Sequence, residues 1–372
     1  MEHSAGAAAA VSFIGIEPLT VLALLALGFL GGMLSGFIGS GGAFVLTPGM
    51  MNLGVLGPVA VASNMCHKFP KALVGAWKRR KLGHVDFKLG AVIGVSAIGG
   101  VMVGVRIQEA IIRAWGSAGS NLYISLTFVL ILFTVGFSML RDSQKSMRSG
   151  SSEEGTPKFA QRVAKLNIPP MMYFRQANAR VTLWVTVPAG FATGILAATI
   201  AVGGFIGVPS MIYIIGAPPF VASGTELIVA FFMGMEGTIE WAVRGYVDLR
   251  LVVLIFAGSL IGVQVGAAGT AYVKQYMIKF VSAAIMLLAG LSRVMVIPVY
   301  LSDAGVISLA KGTHDVLGLL SSVILYGTLV VAAGIITVAM IKGRRESVRE
   351  ALIPKPEGIH LDAARVADTP ES

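Results

Sequence analysis

The chain has 372 residues, of which 55% are apolar and only 13% are charged, and its mean hydropathy is +0.80. Soluble domains carry about 25% charged residues, so this composition argues against a water-soluble globular enzyme and against a disordered chain. The net charge is +10, but the basic residues concentrate in short polar stretches between apolar runs, which indicates membrane topology rather than a nucleic-acid-binding face.

Apolar runs of about 20 residues, the length of a membrane-spanning helix, follow one another along the chain. They cover residues 19–38, 58–77, 89–105, 122–140, 183–202, 219–241, 251–273, 278–299 and 316–341, with shorter runs at 43–56 and 205–215. Backbone in lipid must satisfy its own hydrogen bonds, and the alternating segments of a β-barrel are missing from the sequence. The predicted fold is therefore an all-α polytopic membrane protein.

The runs divide the chain into six parts. These are an N-terminal extension (1–18), a first transmembrane repeat (19–141), a basic linker (142–181), a second transmembrane repeat (182–299), a loop with one extra C-terminal helix (300–341) and a tail (342–372). We expect the linker to be a solvated basic loop, with partner docking as the alternative, and the charged tail to be disordered. The single cysteine, Cys66, allows no intrachain disulfide and is interpreted as a small buried hydrophobe.

The two halves of the chain resemble each other at an offset of 160 to 162 residues. The recurring positions are Gly28 and Gly190, Gly32 and Gly194, Gly41-Gly42 and Gly203-Gly204, Pro48 and Pro209, Ala62-Ser63 and Ala222-Ser223, and Asp86 and Asp248. Duplicated halves are typical of secondary transporters, although duplication without transport is the alternative.

The relative orientation of the two halves depends on the short run at 43–56. If this run crosses the membrane, each half has five crossings and the second half is inverted. The Arg79 loop, the linker and the tail then share one side, and the other side holds only five basic residues, namely Arg106, Arg113, Arg244, Arg250 and Lys311. The positive-inside rule prefers this arrangement to a re-entrant run, and it places the N-terminus outside and the linker and C-terminus in the cytoplasm.

Each short run follows a glycine-rich break in a helix. The breaks are Gly39-Ser40-Gly41-Gly42 and Ala201-Val202-Gly203-Gly204. A helix that restarts after such a break points free N–H groups and the positive end of its dipole at the gap, which suits an anion. Close helix packing through small residues is the alternative interpretation.

The next helix of each half carries a polar cluster. The first cluster is Ser63, Asn64, His67 and Lys68, and the second is Ser223, Gly224, Thr225 and Glu226. Charges at this depth usually face a cavity or a partner, so Lys68 could neutralise an anion and Glu226 could carry a proton. An ion pair between Lys68 and Glu226 is the alternative, and His67 is either a proton relay or a hydrogen-bonded packing residue. Asp86 and Asp248 are interpreted as helix caps.

The sequence carries no nucleotide-binding GxxxxGK[ST] loop and neither of the hydrolase motifs HExxH and GxSxG. Its five histidines are scattered and show no metal-ligand spacing. We therefore expect neither an ATP-driven pump nor an enzyme, and no cofactor or metal.

The motifs together carry a resemblance to a known family. The pattern G-x-x-x-G-x-x-G-S-G-G at 32–42, Pro48, Ala62-Ser63 and G-H-V-D at 83–86, with the matching pattern in the second half, resembles the sulfite exporter TauE/SafE family of membrane transport proteins over about residues 19–298. The resemblance implies a multi-pass carrier of the inner membrane for sulfite, sulfoacetate or a related organosulfur anion. It also implies that the glycine breaks, Pro48, Pro209, Ser63, Asn64, Ser223 and Thr225 line the path.

The chain departs from the family pattern in its Ser63-Asn64-Met65 sequence, where a Gly-Thr-Ser type is usual, in His67 and Lys68, and in its longer linker and extra last helix. The prediction is a secondary transporter that exports a small organosulfur anion by alternating access. The alternative is a membrane scaffold or sensor that acts through the linker and tail. The expected partners are the anion and the lipid bilayer, without nucleic acid, and a homodimer is left open.

Overall fold

The computed structural model describes residues 13–15, 17–38, 43–81, 83–149, 157–165, 168–270, 273 and 275–352. Its helices are α1 (Pro18–Ile38), α2 (Ala43–Asn52), α3 (Gly57–Arg80), α4 (Phe87–Ser149), α5 (Lys158–Ala164), α6 (Leu183–Ile200), α7 (Gly204–Pro209), α8 (Pro219–Val243), α9 (Leu249–Thr270), α10 (Gln275–Asp303) and α11 (Lys311–Leu352). A π-helix, Ser210–Ile215, continues α7, and two strands, β1 (Met171–Phe174) and β2 (Ala179–Thr182), precede α6. Seven helices in this described part are long and apolar enough to cross a membrane, which confirms the all-α polytopic prediction.

Two helices extend beyond the predicted runs. Helix α4 contains the predicted runs at 89–105 and 122–140 as two helical segments that are separated at Gly116, whose φ of 66° and ψ of −165° are non-helical and suit a residue without a side chain. Gln108 donates a hydrogen bond to the Ser120 hydroxyl at 2.8 Å, so the chain turns back at this glycine. Helix α11 continues through Leu352, into the tail that was expected to be disordered. The Arg, Glu, Ala and Leu residues of this part of the tail have good helix propensity, which explains the difference.

The first helix of each half packs against the fourth helix of the other half. A Cβ atom on Gly28 in α1 would lie 2.5 Å from the carbonyl oxygen of Ile255 in α9. A Cβ atom on Gly190 in α6 would also lie 2.5 Å from the carbonyl oxygen of Ile93 in α4. Corresponding residues of the two contacts are 162 positions apart, so glycine allows the same close backbone approach twice. One turn later Gly32 meets Ser259, so α1 and α9 run in the same direction.

The third helices of the two halves, α3 and α8, meet each other directly. The Ser63 hydroxyl in α3 accepts a hydrogen bond from the Asp248 amide at 3.2 Å, and the Thr225 hydroxyl in α8 accepts one from the Asp86 amide at 2.9 Å. Each helix thus begins beside the loop that follows the other, so the two helices are antiparallel, as an inverted repeat requires. These contacts make Thr225 the structural counterpart of Ser63. The sequence repeat had paired Ser63 with Ser223, which is two positions too early.

The directions of the helices show how the short run 43–56 is used. Because Ser63 lies beside the start of α9, α3 and α9 run in the same direction, and α1 is parallel to α9. The chain therefore returns across the bundle between Ile38 and Gly57. Helix α2 has ten residues and is about 15 Å long, roughly half of the hydrocarbon thickness.

The described part of the linker is folded, which differs from the expected solvated loop. Strands β1 and β2 form an antiparallel hairpin whose Phe174 and Ala177 are buried. The Asp86 carboxylate accepts hydrogen bonds from the amides of Gln176 at 3.0 Å and Ala177 at 3.2 Å. This carboxylate attaches a polar, proline-containing segment to the bundle because it satisfies two backbone donors at the hairpin turn.

Candidate functional site

A cavity of about 400 Å³ lies between α3 and α9 and reaches α1, α2 and α8. The ionisable residues that line it are His67, Lys68, Lys71, Lys78, Arg79 and Glu226. All but Glu226 belong to α3, where spacings of three and four residues bring them to one helix face. The cavity wall therefore carries four basic side chains and one acidic side chain.

Lys71 and His67 form a fixed polar group inside the cavity. The Lys71 ammonium donates a hydrogen bond to the Ser259 hydroxyl at 2.8 Å and lies 3.5 Å from Nε2 of His67. Nδ1 of His67 lies 2.9 Å from the Asn64 carbonyl oxygen, which can only accept, so Nδ1 carries the proton. Nε2 then faces Lys71 as an acceptor. Both ring nitrogens are engaged, which favours the packing interpretation of His67 over a proton relay.

Glu226 is the acidic residue of the cavity wall. It is 3% exposed, and neither carboxylate oxygen has a hydrogen-bond partner among the residues that the structure describes. The carboxylate lies against α7, where a Cβ atom on Gly207 would contact it. Within the described residues, Lys68 and Glu226 form no ion pair within 4.0 Å. In this conformation Lys68 and Glu226 therefore line the same cavity without forming an ion pair.

The cavity opens at the end of α3 that carries Lys78 and Arg79. Lys78 is exposed, and Nη1 of Arg79 donates a hydrogen bond to the Ser223 hydroxyl at 2.8 Å. An anion that approaches this opening therefore meets two positive charges before it reaches Lys71 and Lys68.

The opposite end of α8 is closed by an ion-pair network. Arg244 lies 3.2 Å from Glu109 of α4 and also pairs with Glu240. Next to it the fully buried Trp241 meets Tyr246 edge-on, with 5.3 Å between ring centroids. Partial burial and the Glu109 carboxylate both raise the pKa of Tyr246, so its phenol is neutral at physiological pH.

The closed end is the counterpart of the cavity in the other half. Phe256 of α9 and Pro70 of α3 line the cavity, and the residues 162 positions away are Gly94 of α4 and Phe232 of α8. A Cβ atom on Gly94 would lie 2.5 Å from the Phe232 ring, so α4 and α8 are in close contact there. Corresponding helix pairs thus enclose a cavity in one half and are closely packed in the other.

The family model described as "Sulfite exporter TauE/SafE" matches residues 24–293. The chain belongs to this family. No solved structure matches the chain.

Three relatives of this TauE/SafE chain come from Bacillus subtilis (strain 168). "Probable membrane transporter protein YunE" is 22% identical over 73% of this chain and 96% of its own length. "Probable membrane transporter protein YjnA" is 23% identical over 73% of this chain and 99% of its own length. "Probable membrane transporter protein YdhB" is 24% identical over 68% of this chain and 91% of its own length. The TauE/SafE chain is thus a multi-pass membrane transporter, in a family of transporters rather than enzymes. The family match ends at Arg293, so α11 lies beyond it.

The structure places the predicted site residues of this TauE/SafE protein in two groups. Those that line the cavity are His67, Lys68, Ser223 and Glu226. Those that make helix contacts are Ser63, Asn64, Gly224 and Thr225. The Asn64 amide donates a hydrogen bond to the Thr47 hydroxyl at 2.8 Å, and Gly224 packs on the carbonyl group of His84.

The glycine breaks are only partly visible. Gly39, Ser40, Gly41 and Gly42 lie outside the described residues. In the second half, Gly203 and Gly204 begin α7, and the following Phe205 ring lies 5.2 Å from the Phe44 ring of α2, so the two short helices meet. Pro48 lies inside α2 and Pro209 ends α7, where the π-helix begins, whereas Leu46 is the α2 residue in the cavity wall.

Two basic residues were missed from the sequence. Lys71 could have been found, because it follows His67 by four residues and Lys68 by three and so shares their helix face. Arg293 of α10 is fully buried away from the cavity and bonds to Asn52 of α2 and, at 3.0 Å, to Ser321 of α11. Arg293 could have been found as a charge inside the apolar run at 278–299, although its partners, which are distant in the chain, could not.

Proposed function

We propose that this TauE/SafE chain is a secondary transporter that exports sulfite, sulfoacetate or a related small organosulfur anion by alternating access. The observation that supports this proposal best is the cationic cavity, with Lys68 and Lys71 in its wall and Lys78 and Arg79 at its mouth. Ammonium groups are compact charges with several donors, which suits the oxygen atoms of a small oxyanion. The hydrogen bond from Lys71 to Ser259 holds one of these charges in position before an anion arrives.

Charge also supports the direction of transport. The linker hairpin and the mouth of the cavity lie on the same side of the bundle. Asp86 contacts both the hairpin and Thr225 near the start of α8, and the neighbouring Ser223 accepts a hydrogen bond from Arg79 at the mouth. We assign this basic side to the cytoplasm of the inner membrane, with the N-terminus outside. The cavity is then open to the cytoplasm, and the inside-negative potential, worth about 2.3 kcal/mol per charge per 100 mV, drives an anion outward.

The unequal helix pairs support alternating access. A cavity lies between α3 and α9, whereas α8 and α4 are closely packed, although the two pairs are counterparts in the repeat. Exchanging these two arrangements would close the cavity on the Arg79 side and open it on the Arg244 side. The Arg244 network would have to break in this exchange.

The test is flux of radiolabelled sulfite in liposomes that contain the purified protein, with sulfoacetate, thiosulfate and sulfate as competitors. We expect saturable flux, and we expect Lys71→Met to raise the KM for the anion about tenfold or more, because it removes a charged hydrogen-bond donor worth about 1.5–3 kcal/mol. Lys81→Met is the matched control, since Lys81 follows the same helix and is exposed outside the cavity wall. Absence of flux with all four anions would refute the proposal and favour a scaffold that acts through the linker.

A further inference from the structure

We propose that Glu226 takes up one proton when an anion occupies the cavity, so that the transporter moves a proton together with the anion. This inference rests on the proposed transport function and adds the coupled ion to it. Its basis is the position of Glu226, a buried carboxyl group in the wall of the same cavity as Lys68 and Lys71.

The surroundings of the Glu226 carboxylate do not stabilise a permanent charge. Among the described residues neither oxygen accepts a hydrogen bond, and the nearest part of α7 is the backbone at Gly207. The nearby Asp86 carboxylate is occupied by the amides of Leu89, Gln176 and Ala177. An ionised carboxylate at this depth is unfavourable unless a positive charge compensates it.

Among the residues that the structure describes, the charges of the cavity wall that can compensate Glu226 all come from α3. The ionisable residues of α3 that line the cavity are His67, Lys68, Lys71, Lys78 and Arg79, and α1, α2 and α9 contribute none. Lys71 is held by Ser259 and faces His67, which leaves Lys68 as the cation with freedom to move toward Glu226. The carboxylate and a bound anion therefore compete for Lys68.

This competition links the proton to the anion. In the empty cavity, Lys68 can approach an ionised Glu226, and the pair is neutral overall. When an anion binds Lys68 and Lys71, the carboxylate loses its cation and is repelled by the anion, so it takes a proton from water at the cavity mouth. The proton leaves as the anion leaves, and no group is oxidised or reduced.

The coupling has a consequence for the direction of transport. A proton that moves with a doubly charged anion reduces the charge that crosses the membrane from two to one. The membrane potential then drives export less strongly, and a proton gradient that is acid outside opposes it. A proton-coupled carrier must therefore respond to pH gradients, whereas a simple uniporter of a strong-acid anion must not.

The first test is infrared difference spectroscopy of the full chain in lipid, perfused with sodium sulfite and then with sodium thiosulfate. Neither anion contains a carboxyl group, so we expect anion addition to increase the carbonyl band of a protonated carboxylic acid. The band should disappear in Glu226→Gln, whose amide has the shape of the protonated acid. It should persist in the matched control Glu236→Gln, because Glu236 lies on the same helix outside the cavity wall.

The second test is thiosulfate flux at zero membrane voltage. If each anion carries one proton, a gradient of about one pH unit should accumulate thiosulfate about tenfold on the alkaline side. At equilibrium the product of the proton and anion activities is equal on the two sides, so a tenfold lower proton activity is balanced by a tenfold higher anion activity. Any thiosulfate flux that Glu226→Gln retains should not respond to the gradient. A missing carbonyl band together with saturable sulfite flux, or a band that persists in Glu226→Gln, would overturn the coupling alone. Absence of both flux and band would instead refute the transport proposal.

Discussion

Replacing Asp86 by Asn should release the linker hairpin from the bundle. Oδ1 of Asp86 accepts the Leu89 amide at 3.0 Å and caps α4, and Oδ2 accepts the amides of Gln176 and Ala177. Asparagine caps helices as well as aspartate does, so the cap survives the substitution. The new NH₂ group, however, takes the place of Oδ2 and cannot accept the hydrogen bonds that the two hairpin amides donate.

The size of the effect follows from the two lost bonds. Hydrogen bonds to charged groups contribute about 1.5–3 kcal/mol each, and Asp86 is 1% exposed, so solvent screening is weak. Taking the lower value for both bonds gives about 3 kcal/mol, which corresponds to an increase of about 100-fold or more in the population of the opened hairpin. The hydrogen bond from Lys88 to the Tyr173 carbonyl oxygen, 3.2 Å long and exposed, remains and limits the loss.

Hydrogen–deuterium exchange in lipid nanodiscs measures this opening directly. The amides of residues 171–182 should exchange about 100-fold faster in Asp86→Asn than in the unmodified chain. Asp248→Asn is the matched control, because Asp248 occupies the equivalent position but pairs with Arg250, whose Nη2 lies 2.8 Å from Oδ2. Unchanged exchange in Asp86→Asn, or equal acceleration in Asp248→Asn, would refute the assigned role of the carboxylate.

Two further predictions concern helix packing and gating. Gly190→Val should lower the melting temperature by several degrees, because overpacking against the α4 backbone costs about 1–3 kcal/mol. Gly327→Val is the control and should have no such effect, because nothing lies within 4 Å of that position. Equal melting temperatures of the two variants would contradict the close crossing of α6 and α4. Met65 is buried and packs against Gly237 of α8, so Met65→Cys in a Cys66→Ser background reports on access from the Arg244 side. Arg244→Gln should make this thiol react about two- to thirtyfold faster with a membrane-impermeant reagent added on that side, because Arg244 makes two partly exposed ion pairs that contribute about 0.2–1 kcal/mol each. Arg113→Gln, whose side chain is 77% exposed, should leave that rate unchanged, and an unaltered rate in Arg244→Gln would argue against a gate.

The bundle could be predicted from the sequence because lipid imposes long apolar helices and the repeat marks corresponding positions. The register of the repeat could not be predicted to the residue. Serine occurs at 63 and at 223, and only the contacts show that the hydroxyl with the matching role belongs to Thr225. The two apolar runs at 89–105 and 122–140, by contrast, correctly predicted two helices, because the helical backbone of α4 is interrupted at Gly116.

The candidate site was predicted in part. Lys68 and Glu226 were recognised because charges are rare in apolar runs, and both line the cavity. Small polar residues carry no such signal, because a serine is as common in a helix–helix contact as in a binding site. Ser63 therefore satisfies a backbone amide, whereas Ser223 meets Arg79 at the mouth of the cavity. The docking of the linker depended on backbone donors, which side-chain composition does not reveal.

The repeat gives the two sides of the molecule the same backbone arrangement but different charges. Positions 71, 78 and 79 of the open pathway correspond, 162 residues later, to Met233, Glu240 and Trp241. If the halves exchange conformations, an anion enters past a basic mouth and leaves past one in which the α8 counterparts of Lys78 and Arg79 carry no positive charge. Such mouth charges change the rate of entry from each side, whereas the equilibrium is set by the gradients. With the basic mouth in the cytoplasm, this kinetic bias and the membrane potential both favour export, and the proton on Glu226 works against it.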